Sequence, residues 1–89
     1  MSCLDKVASE LKGASEIIRK QEQNPSLHDR TEKLKVALLS SMASMVKNIN
    51  IHMGTSDAQT LLALIHESAF NADQQDKLSD IVHLSLIHI

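Results

Sequence analysis

The chain has 89 residues, a formal net charge of −2, 43% hydrophobic residues and 22% charged residues. That length holds one small domain and excludes a large multi-domain enzyme. Two glycines, one proline and a single aromatic residue, Phe70, are too few for the turns and pleated faces of a β fold, so the composition points to helices.

The first predicted helix spans about residues 3–23, with Ser2 as its N-cap. Leu4, Val7, Leu11, Ala14 and Ile18 step by three and four and define one narrow buried seam. Gly13 lies inside this helix at a cost of about 1 kcal/mol relative to alanine. Such a glycine is expected where another helix approaches closely. Pro25 then biases Asn24 away from helical geometry and ends the segment.

A second long helix is expected over about residues 30–53, opened by Asp29 and Glu32 as a capping-box variant and closed by Gly54 at C′. Its apolar residues, from Leu34 through Val36, Leu38, Leu39, Met42, Ala43, Met45, Val46 and Ile49 to Met53, sweep roughly 200° of the helical wheel. Lys35 interrupts that sweep. A face this broad requires more than one neighbour.

Two shorter helices follow, over about 57–70 and 72–83. Ser56 with Gln59, and Asn71 with Gln74, have the spacing of helix-starting caps. Ala58, Leu61, Leu62, Ile65 and Ala69 form the stripe of the third helix, with Phe70 off to one side. Leu78, Ile81 and Val82 form that of the fourth. The fold expected is all-α, a small antiparallel helical bundle.

The last six residues, Leu84 to Ile89, are the translation of CTG TCT CTT ATA CAC ATC, the mosaic-end sequence that tagmentation adds to DNA libraries. We read 84–89 as a library-derived tail and 1–83 as a single helical domain whose natural frame is expected to be cut at or just after His83.

Charge is divided between the halves. Residues 1–50 hold eight basic and six acidic residues, net +2, and residues 51–89 hold one lysine and five acids, net −4. Neither half has the dense basic stripe that neutralising many phosphates requires. A helix-turn-helix made of the last two helices would present Gln74 and Gln75 to bases, but beside Asp73, Asp76 and Asp80, which repel the backbone. Cys3 is alone and cannot form an intramolecular disulfide, which fits a reducing compartment. No basic-then-apolar leader is present, and Val36 to Val46 is broken by three serines, far short of the ~20 residues of a bilayer span. A cytoplasmic protein is expected.

No catalytic set is legible. His66-Glu67 begins like a zinc-protease motif, but Phe70 stands where the second histidine belongs. Asp80 and His83 supply one carboxylate–imidazole pair where a di-iron bundle needs two such pairs and further glutamates. The serines lack a nucleophile elbow, and two glycines cannot build a phosphate loop. The sequence therefore predicts no enzyme, no metal, no cofactor and no small-molecule substrate. It predicts a protein–protein interaction or assembly module, a homo-oligomer or a small subunit of a complex, using Leu38, Met42, Met45, Val46, Ile49 and Met53 of the broad face. The alternative is a small nucleic-acid-associated regulator using a basic side of the first two helices.

Overall fold

A computed structural model describes the backbone of residues 3–49 and 53–87 and the side chains of residues 4–49 and 53–84. Four helices form: α1 Cys3–Glu22, α2 His28–Ile49, α3 Thr55–Glu67 and α4 Ala72–Ile87, with a single 3-10 turn, Pro25–Leu27, between α1 and α2. The described residues contain no strand. The small all-α bundle predicted from periodicity is the fold observed. The Ser2 cap lies outside the described residues, as do Asn50, Ile51 and His52 after α2.

The first seam is found as read. Val7, Leu11, Ala14 and Ile18 are buried, and Leu4 packs against them at the edge. Gly13 departs from expectation, because a Cβ built on it meets nothing within 4 Å. No helix approaches there; the glycine faces open space.

The start of α2 also differs. Asn24 caps the 3-10 turn instead, its Oδ1 accepting from the Ser26 amide at 3.1 Å and from the Ser26 hydroxyl at 2.7 Å. The turn feeds directly into α2 at His28, so Asp29 sits within the first helical turn and is no N-cap. Glu32 is drawn away by Lys35 and Asn71 and does not reach back to complete a box. At the other end, Met53 is outside the helix, and Gly54 is the N-cap of α3, with φ −79° and ψ 169°. No glycine of the described residues has positive φ, so Gly54 is not a C′ residue and Ser56 is not the cap.

Helix α3 stops at Glu67, three residues short of the expected end. The Ser68 amide and hydroxyl both donate to the Ile65 carbonyl, at 3.1 and 2.6 Å, and the chain turns extended at Ser68. Leaving the helix there swings Phe70 into the core, where it is 4% exposed. The Asn71 cap holds as read: Gln74 reaches back with its Oε1 to the Asn71 amide at 3.0 Å, the reciprocal half of a capping box. Helix α4 continues past His83 to Ile87, since no Gly or Pro interrupts it.

The helices pack as two antiparallel hairpins, α1/α2 and α3/α4, laid side by side. Helix α1 touches α2 and α3, while α4 touches α2 and α3. Along the α1/α3 seam, Leu64 lies beside Leu11 and Lys12, and Glu67 beside Arg19, so these two helices run the same way. By the same logic α2 and α4 run together. The shared core joins Val7, Leu11 and Ile18 of α1, Met42 and Val46 of α2, Leu61 and Ile65 of α3, and Leu78 and Val82 of α4.

At one end of this core sits a buried cation. The Lys35 side chain is only 4% exposed. Its Nζ donates to Glu22 Oε2 at 3.1 Å and to Asn71 Oδ1 at 2.9 Å, and lies 3.7 Å from Glu32 Oε1. Asn71 Nδ2 in turn donates to Glu32 Oε2 at 3.1 Å. One ammonium thus ties the end of α1, the body of α2 and the α3–α4 turn.

Three stability outcomes follow. Gly13→Ala raises stability by about 0.5–1 kcal/mol, because it removes a helix-interior glycine without a clash. Ser79, whose hydroxyl is buried without a hydrogen-bond partner, is replaced by alanine without loss or with a gain of about 1 kcal/mol. Lys35→Ala costs about 1–3 kcal/mol, and Lys35→Met, which keeps the volume, costs less. Urea unfolding followed by circular dichroism measures all of these. Equal loss in the two Lys35 variants would assign the contribution to charge alone.

Candidate functional site

The six residues singled out on the expected second helix, of which Met53 lies beyond α2, separate into two groups. Met42, Val46 and Met53 are buried in the bundle's own core. Leu38, Met45 and Ile49 pack against that core while remaining partly accessible. At about 100° per residue, Met42 and Val46 mark the centre of the buried arc, with Lys35 between them. Leu34, Leu38 and Met45 lie on the flank toward α1, and Leu39, Ala43 and Val36 on the flank toward α4. The breadth of the arc is thus largely answered by two flanking helices within the chain.

What remains outward is the face of the α1/α2 hairpin turned away from α3 and α4. Ile17 of α1 is 49% exposed there, off the buried seam of its helix. Gly13, Ala37 and Ser41 keep the surface low around it, and a depression of about 420 Å³ lined by Gln21, Leu27, Arg30, Lys33 and Leu34 opens at its upper end. Exposed cations edge this face, Lys6 at one end and Lys20 and Arg30 at the other. Periodicity missed Ile17, which falls off the α1 seam, although a bulky aliphatic residue outside a seam is itself the signal. Val36, on the opposite flank of α2, is 61% exposed.

A second groove, between α1 and α3, encloses about 170 Å³ over Leu11 and Leu64. Its polar groups are already engaged in fixing the end of α3. Arg19 Nη2 donates to the Glu67 carbonyl at 2.7 Å, and Ser15 Oγ accepts from the Ala69 amide at 3.1 Å.

The histidines and glutamines are dispersed. His28, His66 and His83 are exposed, while His52 and His88 lie outside the described residues. Among the described residues no three His, Cys, Asp or Glu side chains converge as a metal site. Gln74 is buried as the cap of α4, and Gln75 Nε2 donates to the Ser68 and Phe70 carbonyls at 3.0 and 3.1 Å. Both amides that a helix-turn-helix would offer to bases are therefore spent on the turn. No described helix is long and apolar enough to cross a membrane.

Comparison with protein-family models, with curated proteins and with solved structures finds no match.

Substitutions sort core from surface within this group. Met42→Ala costs about 2–5 kcal/mol, whereas Ile17→Ala stays within about 0.5 kcal/mol of wild type. Thermal and urea denaturation of the two variants reads the difference.

Proposed function

We propose that the chain is a non-enzymatic helical interaction or assembly module of the cytoplasm, docking through the outward face of its first hairpin. The observation that carries this reading is Ile17, 49% exposed on α1, on a hairpin whose second helix also keeps Leu34, Leu38 and Met45 partly accessible. Helices pack at 8–10 Å when the side chains between them are small or interdigitate. Gly13, Ala37 and Ser41 supply the small positions, and the aliphatic residues supply the ridge. Burying the exposed half of Ile17 contributes about 1 kcal/mol, and apolar residues near the centre of a patch carry much of the binding energy. The cations at either end of the face add orientation more than affinity.

Sedimentation velocity over a wide concentration range, on wild type and Ile17→Glu, tests the assembly reading. Wild type is expected to gain mass with concentration, while the variant stays monomeric with an unchanged helical spectrum. A wild type that is monomeric throughout and indistinguishable from the variant would overturn it. Salt-sensitive binding of generic duplex DNA, lost in Lys20→Glu, would assign the face to nucleic acid instead.

A further inference from the structure

We infer that the occupant of this face is the outward face of the α3/α4 hairpin of a second copy of the same chain, giving a head-to-tail stack of hairpins. The inference rests on the assembly reading above and names its partner. Its first support is charge. The hairpin containing α1 and α2 carries eight basic and six acidic residues over 3–49, while residues 53–87 carry Lys77 against Asp57, Glu67, Asp73, Asp76 and Asp80. The two hairpins are the two layers of the bundle; with Lys35 buried and Arg19 bonded to the Glu67 carbonyl, the outward face of α1/α2 keeps Lys6, Lys20, Arg30 and Lys33 against Glu10. On α4, Asp76 and Asp80 fall on the arc opposite the buried Leu78 and Val82, and both are exposed.

Register is the second support. Lys20 and Arg30 flank the α1–α2 turn, at the end of the bundle where Lys35 binds Asn71. Asp76 lies in the second turn of α4, just after Asn71, at that same end. Displacing one copy along the direction from α3/α4 to α1/α2 therefore brings its Asp76 over the Lys20 and Arg30 end of its neighbour. The new contact repeats the one inside the chain, with α3 over α1 and α4 over α2, each pair running the same way.

A two-fold dimer through the α1/α2 face offers less charge complementarity, because that face carries Lys6, Lys20, Arg30 and Lys33 against Glu10. Head-to-tail pairing is heterologous, leaves a free face at each end, and continues beyond two copies unless the rotation closes a ring.

The test uses two charge-reversed variants of the full chain: Lys20→Glu with Arg30→Glu, and Asp76→Lys with Asp80→Lys. Sedimentation velocity at about 20 mM and about 500 mM salt spans strong and weak screening. Wild type is expected to form species larger than dimers at low salt, with association weakened roughly tenfold or more at high salt. Each variant alone is expected to remain monomeric with an intact helical spectrum, and an equimolar mixture of the two to associate again, because each reversed face then meets its complement. Association of wild type that is unchanged by either charge set but abolished by Ile17→Glu would overturn the head-to-tail arrangement and leave the assembly reading standing. A wild type monomeric at low salt would remove both.

Discussion

The bundle is organised around a buried lysine. Lys35 lies at the centre of the apolar arc of α2, where an uncompensated ammonium would cost several kcal/mol in lost hydration. Its three protons face the Glu22 carboxylate, the Glu32 carboxylate and the Asn71 amide oxygen. Glu22 and Glu32 keep 45% and 39% of their side-chain surface in water, so the acids are not stripped of solvent while they hold the cation. Apolar contact alone does not distinguish α3 from α4 as the neighbour of α2. The amide at the head of α4 does, because it satisfies both the lysine and Glu32.

That contact explains the economy of the α3–α4 turn. Four residues reverse the chain: the Ala69 and Asn71 amides donate to Ser15 and Gln74, and the Ser68 and Phe70 carbonyls accept from Gln75. The same turn places Phe70 in the core and Asn71 on Lys35. Turn polarity is thus used internally, which removes the glutamines from any role at the surface. In the α1/α3 groove, Arg19 and Ser15 likewise hold the end of α3. The outward face of the first hairpin differs in keeping Ile17 half exposed with no hydrogen-bonding role to fill.

Much of the fold was legible. The seam of α1 and the stripes of α3 and α4 follow from 3.6-residue periodicity, and the Asn71–Gln74 box was readable because both of its members are local. The ends of α2 and α3 were less so. Asp29 has the composition of a cap, yet the Pro25–Leu27 turn starts helical geometry upstream of it. Helix α3 ends early because Phe70 gains more by burial than the backbone gains from another turn, a competition that local propensity does not contain. The candidate face was half legible: Leu38 and Met45 were identified, but periodicity could not tell them from Met42 and Val46, which share the arc and differ only in which neighbour covers them.

By itself, the sequence determined that the protein is helical, where its four helices lie to within a few residues, and that one of them is apolar over too wide an arc for a single neighbour. These are local properties, set by side-chain spacing and by residues within one turn of each cap. The tertiary structure decided that α2 sits between α1 and α4, that like-directed helices stand side by side, and that Lys35 is an interior residue. Those outcomes depend on pairing groups 13 and 36 residues apart, Lys35 with Glu22 and with Asn71. A buried charge is settled by whatever partners the whole fold brings to it.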